Sequence, residues 1–73
     1  MHSASIERSK RLQRVDDLLA DGKEYSTMDI VHAANVCAVN SIIAELRDNG
    51  RAIDCRRDKH IWYYRRTDIE KAE

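Results

Sequence analysis

Residues 51–66 place Arg51, Arg56, Arg57, Lys59, Arg65 and Arg66 around Trp62, Tyr63 and Tyr64, opposed only by Asp54 and Asp58. Guanidinium and ammonium groups meet phosphate oxygens, and aromatic faces stack on bases. A basic run with interleaved aromatics therefore has the composition of a nucleic-acid contact. The competing explanation is an ordinary solvated hairpin, because Lys and Arg usually sit outside. Arg8, Lys10, Arg11 and Arg14 stand against Glu7 in residues 1–14 and form either a second phosphate patch or a solvated helix face. Residues 15–50 are acidic, with seven carboxylates against Lys23 and Arg47. The balance of 13 acids and 13 bases thus hides strong segregation, although zero net charge by itself predicts no polyanion partner.

Other chemistries find little support. Cys37 and Cys55 form no CxxC, and a small secreted scaffold would carry four or more cysteines. Two reduced thiols are expected. Together with His2, His32 and His60 they show no metal-type spacing, so no metal or other cofactor is expected. There is no nucleophile triad, no paired carboxylates in a plausible cleft, and two glycines cannot build a phosphate loop. An enzyme is not expected, nor is a small-molecule substrate. No apolar run approaches the ~18 residues of a membrane span. No secretory leader is visible in residues 1–8. The expected compartment is the cytoplasm or nucleoid, or the host cell for a viral protein.

The elements that must position these residues are legible from periodicity. Charged residues make up 36% of the chain, above the roughly 25% usual for globular domains, but the hydrophobics recur at helical spacing, which argues against disorder. Leu12, Val15, Leu18 and Leu19 predict a helix over 6–20, stopped by Asp21-Gly22. Ser26 and Asp29 have capping-box spacing and open a second helix over 27–34. Asn35 is the expected cap of a third helix over 36–49, with Val36, Val39, Ile42, Ile43 and Leu46 as its apolar stripe. After Gly50 the period falls to two. Strands are expected over 51–56 and 61–66, linked by the polar residues 57–60, with Tyr25-Ser26 as a short third strand. The result is one α+β domain over residues 1–66, followed by a flexible tail over 67–73. Its order is that of a three-helix winged helix-turn-helix with a C-terminal β-hairpin wing.

The run Ser26-Thr27-Met28-Asp29-Ile30, with Val39, Ile43, Leu46, Gly50 and Ile53, resembles the winged helix-turn-helix family of DNA-binding proteins over residues 25–66. Ile43, Leu46-Arg47, Gly50 and Ile53 look like the I-x-x-L-R-x-x-G-x-x-I pattern of small phage and prophage members, with Tyr63-Tyr64-Arg65 as the strand that follows. A narrower resemblance is to the Zα domains, winged helices that bind left-handed DNA and RNA. Asn40 and Trp62 stand where those domains place an Asn and a Trp. Zα domains also carry a Tyr where this chain has Ala44, and a Pro-Pro pair where it has Lys59-His60.

The resemblance implies a double-stranded DNA-binding regulator, with the third helix entering a groove by its N-terminal half. Its outward candidates are Cys37, Asn40, Ser41, Ala44 and Arg47. Asn40 has the geometry to bond adenine N6 and N7, or it is a solvated helix residue. Ser41 donates to phosphate or to water. Arg47 is expected to pair with Glu45 or Asp48, or to face solvent, rather than phosphate. Cys37 is expected to be inert. Ala44, with Glu45 and Asp48, offers little to a phosphate. The wing supplies Arg56, Arg57, Lys59 and His60 as backbone contacts, His60 only when protonated. Both faces of residues 61–64 are apolar. Trp62 is therefore expected mainly in the core, with base contact as the alternative. Two other readings stay open: a Zα-like binder of left-handed duplexes, and a protein-binding winged helix such as a phage inhibitor of a host protein, which the acidic helix favours. A homodimer also stays open, since such regulators usually work in pairs.

Overall fold

The structure, a computed structural model, describes Ile6 and residues 9–69. Three helices, α1 (Lys10–Leu19), α2 (Thr27–Ala34) and α3 (Val39–Asp48), accompany three strands, β1 (Tyr25–Ser26), β2 (Ile53–Asp58) and β3 (Ile61–Arg66). The sheet is antiparallel in the order β1-β3-β2. This is the α+β arrangement of a three-helix winged helix-turn-helix with a C-terminal wing. Axes of α2 and α3 are bent 85° from each other across the turn that joins them.

Each helix end has a local cause. The Ser9 hydroxyl accepts from the Leu12 N–H at 3.3 Å and sets the first turn of α1. The helix runs from 10 to 19 rather than 6 to 20, and residues 7 and 8 lie outside the described residues. Gly22, at φ 73°, takes the left-handed position past its end. The capping box of α2 is complete: Asp29 N–H donates to the Ser26 hydroxyl and Ser26 N–H to the Asp29 carboxylate, both at 3.1 Å. At its other end the Arg14 guanidinium donates to the Ala34 carbonyl at 2.7 Å, placing a cation at the negative end of α2.

The start of α3 differs from the expectation. Asn35 is the left-handed C-cap of α2, at φ 53°, and not the cap of α3. A second left-handed residue, Ala38 at φ 55°, stands at the N-cap of α3 with no side-chain bond to offer. Val36 and Cys37 therefore belong to the turn, and α3 begins three residues later than the apolar stripe implied. The wing differs too. Arg57 and Asp58 are in β2, so the link is only Lys59-His60, with Lys59 at φ 59°.

The core comprises Leu12, Val15, Leu19, Ile30, Ala34, Val39, Ile42, Ile43, Leu46, Ile53 and Tyr64, and among the described residues no polar or charged residue is buried other than through the Tyr64 phenol. Burial of each large aliphatic side chain is worth roughly 1.5–3 kcal/mol. The segregated charges of the sequence are interleaved in space. Arg11 pairs with Glu45, Arg51 and Arg66 with Asp16, and Arg56 with Glu24, across 32 to 50 residues of chain. Thr67 N–H donates to the Ala52 carbonyl at 2.9 Å, and Asp68 holds Arg66 at 2.9 Å. The first residues of the expected tail are thus tied down, while residues 70–73 lie outside the described residues.

Candidate nucleic-acid interface

Strand parity builds the site. Register pairs Ile53 with Arg66, Cys55 with Tyr64 and Arg57 with Trp62, so these six residues share the face of the hairpin turned toward α3. Tyr64 sits low on that face, beside β1, and is buried. Trp62 sits two residues nearer the tip, past the reach of β1, and is 43% exposed. The expectation of a core Trp62 is corrected: β3 outruns the helical layer, and only its base is covered.

Asn40, Ile43 and Arg47 of α3, with Cys55, Trp62 and Tyr64 of the sheet, line one groove of about 280 Å³. The Tyr64 hydroxyl donates to Asn40 Oδ1 at 2.8 Å. The Arg57 guanidinium lies over the Trp62 ring, 5.9 Å from its centre. That distance suits a cation–π contact and leaves the charge in solvent. Among the described residues neither Arg57 nor Lys59 forms an ion pair with a carboxylate.

Not every candidate residue belongs here. Arg47 pairs with neither Glu45 nor Asp48; its Nε and Nη2 donate to the Ile53 carbonyl at 3.2 and 2.7 Å. It ties the last turn of α3 to the start of β2. Arg56 points to the other face of the sheet. There it chelates Glu24 at 2.6 and 2.7 Å and covers the Tyr63 ring at 4.5 Å. Glu24 titrates below its ordinary range, chiefly through the hydrogen bond from Arg56. Arg56 is therefore already engaged with a carboxylate. Lys59 and His60 form the exposed tip.

Cys37 and Ser41 line a second groove on the far side of α3, about 720 Å³, with Val31, Val36, Ala38, Ile42 and the Arg11–Glu45 pair. They do not join Trp62. Ala44 is exposed on α3 and lines neither groove. Both cysteines are free and exposed. On α1, Arg11 and Arg14 are engaged with Glu45 and the Ala34 carbonyl, which weighs against the alternative of a second phosphate patch there, and Arg8 lies outside the described residues.

Tyr64, Ile43 and Cys55 are the groove residues that the sequence reasoning missed. Parity along the two strands was the available signal, since it places Cys55, Trp62 and Tyr64 on one face once the two-residue turn is known. Among the described residues no cluster of three His, Cys, Asp or Glu can hold a metal, and no helix is long and apolar enough to cross a membrane.

The chain matches no protein-family model, no curated protein and no solved structure. Its likeness to winged helices therefore stands on element order and on the residues quoted, and function must be argued from the groove itself.

Proposed function

We propose that the chain is a small duplex nucleic-acid-binding module of the winged-helix kind, in keeping with a phage-type transcription regulator. The observation that carries this reading is one groove: an exposed Trp62 capped by an unpaired Arg57, facing Asn40 on the third helix. In this reading the N-terminal half of α3 lies against the duplex, and Arg57 and Lys59 hold phosphate, with His60 joining them when protonated. Phosphate contacts position such a protein without reading sequence. The acidic residues of α3 do not oppose this as strongly as composition implied, because Glu45 is spent on Arg11 on the side away from the wing.

A second reading, selection of a left-handed duplex, is favoured by the meeting of Asn40 and Trp62 in one groove. One titration separates the two. Fluorescence anisotropy of a labelled random duplex is followed at low and moderate salt, beside a methylated CG-repeat duplex in left-handed form. Salt-sensitive binding of the random duplex supports the regulator reading, with a log–log salt slope of about −2 for two neutralised phosphates. Preference for the left-handed duplex moves the reading to that helix form. Binding to neither at low salt removes nucleic acid as the partner and leaves a protein-binding winged helix, to be pursued by partner capture.

A further inference from the structure

β2 is the last strand of the sheet, so its outer edge has no neighbouring strand among the described residues. Parity decides which backbone groups face that edge. Thr67 N–H donates to the Ala52 carbonyl, and the same register sets Asp54 opposite Arg65, Arg56 opposite Tyr63 and Asp58 opposite Ile61. Residues 52, 54, 56 and 58 therefore turn their N–H and C=O groups to β3, and Ile53, Cys55 and Arg57 turn theirs outward. The Ile53 carbonyl agrees, since it takes the Arg47 guanidinium. A row of outward backbone groups is a template for one more strand. Beyond the two residues of β1 the wing is only two strands wide, and there an added strand stabilises it most.

We propose that this edge is a self-association surface, on which a second copy of the chain pairs antiparallel about a two-fold axis at Cys55. The charges choose both the partner and the register. Symmetric pairing opposes residues of like parity, so its axis falls on a residue. With the axis at Asp54, Arg56 or Arg57, that residue meets its own like charge. At Cys55, Asp54 faces Arg56 of the second copy, and this pair occurs twice. Arg57 then faces Ile53 and Asp58 faces Ala52, so no like charges are opposed. Opposite charges directly across two strands stabilise the pairing, and like charges destabilise it. Asp54 is exposed and forms no ion pair among the described residues. Arg56 holds Glu24 through Nε and Nη2, which leaves Nη1 to donate. Charges commonly guard an edge strand against pairing. On β2 their order makes the edge complementary to itself. The two Cys55 residues exchange both backbone bonds, and each Arg57 carbonyl accepts from the Ile53 N–H of the other copy. The result is a six-stranded sheet with an isologous interface. Its axis stands perpendicular to the sheet, so both α3 helices lie on one side and the two wings point in opposite directions. None of this depends on the nucleic-acid reading.

The test is sedimentation equilibrium of the full chain across the micromolar to millimolar range, since an edge of six residues is a small interface. Wild type should show a concentration-dependent monomer–dimer equilibrium. Asp54→Arg, and separately Arg56→Asp, should each weaken it by about tenfold or more, because two opposite-charge pairs become like-charge pairs. An equimolar mixture of the two variants should associate as wild type does, since each then meets its complement. Circular dichroism of each variant checks the fold. A second measurement reads the register without altering a charge. Across such a pair the Cys55 Cα atoms lie about 5.5 Å apart, within the span of a disulfide. Copper(II)-phenanthroline, which takes two electrons from the two thiols as their protons leave, should cross-link a Cys37→Ser chain through Cys55. A Cys55→Ser chain, which keeps the equally exposed Cys37, should stay uncrosslinked. A chain that is monomeric at every concentration overturns the proposal. So does a dimer indifferent to Asp54→Arg, or one that cross-links through Cys37 instead.

Discussion

Asp16→Asn is the perturbation whose cost is best defined by the structure. Asp16 is shared by two arginines, taking two bonds from Arg51 at 2.8 and 3.2 Å and one from Arg66 at 3.1 Å. Its side chain is 14% exposed and that of Arg66 11%, so little solvent screens the pair, whereas Arg51 at 31% is better hydrated. Bonds to charged groups contribute about 1.5–3 kcal/mol each when buried, and exposed pairs under about 1. Arg66 keeps Asp68, which limits the damage on that side. Together these place the loss at about 2–3 kcal/mol. At roughly 0.05–0.15 kcal/mol per residue the whole domain has only about 4–11 kcal/mol, so the loss is a large fraction of it. For a chain of this size it corresponds to a fall in Tm of about 10–20 °C. The assay is urea unfolding followed by far-ultraviolet circular dichroism, with midpoint and slope both recorded. The exposed neighbour Asp17→Asn is the control and should lie within about 0.5 kcal/mol of wild type. An Asp16→Asn variant as stable as that control would refute the argument that this carboxylate clasps α1 to the base of the wing.

Three further outcomes follow. Lys59 holds a left-handed conformation at the wing turn, so Lys59→Gly should raise stability by about 0.5–1 kcal/mol, read as a higher urea midpoint at unchanged slope. Combined Arg57→Ala and Lys59→Ala should weaken binding to every duplex and reduce the salt slope by about 2, while Arg56→Ala, already chelated by Glu24, should leave affinity within about twofold in the same anisotropy assay. The Asp68 carboxyl is held below the ordinary carboxylate range, first by the hydrogen bond from Arg66. Its contribution is fully present above the unfolded carboxylate pKa and is lost as pH falls through the depressed folded value. Urea midpoints from pH 6 to pH 2 should therefore fall less steeply for Asp68→Asn, and curves that stay parallel throughout would contradict this.

Signals carried by neighbouring residues were legible from the sequence. The Ser26–Asp29 box, the Gly22 stop, the helical stripes and the alternation after Gly50 each depend on fewer than a dozen residues, and each stands where its chemistry directs. What was not legible depended on contacts remote in the chain. Asn35 suits the start of a helix by residue type, but its left-handed backbone, φ 53°, makes it the end of α2. Trp62 and Tyr64 share one face of β3 and have similar hydrophobicity. Their opposite burial comes from how far α3 and β1 extend along the strand, which no local pattern encodes. Local spacing points Arg47 to Glu45, Asp48 or solvent and leaves Arg56 as a phosphate candidate, because their actual partners, the Ile53 carbonyl and Glu24, come from other elements.

The short reach of β1 has a mechanical consequence. It pairs only with Tyr63 and Tyr64, so the sheet is three-stranded at those two residues and a two-stranded ribbon from Trp62 and Arg57 outward, steadied at the Trp62 carbonyl by the Thr27 hydroxyl at 3.5 Å. A lone ribbon is marginally stable, whereas a third strand and a packed face are what make a sheet stiff. Stiffness therefore falls along the wing, and amide exchange should quicken from Tyr64 toward the Lys59-His60 turn. Asn40 is fastened to the stiff end, and Arg57 and Lys59 ride on the compliant end. A partner of irregular contour would be met by bending at the tip while the Asn40–Tyr64 contact keeps its geometry.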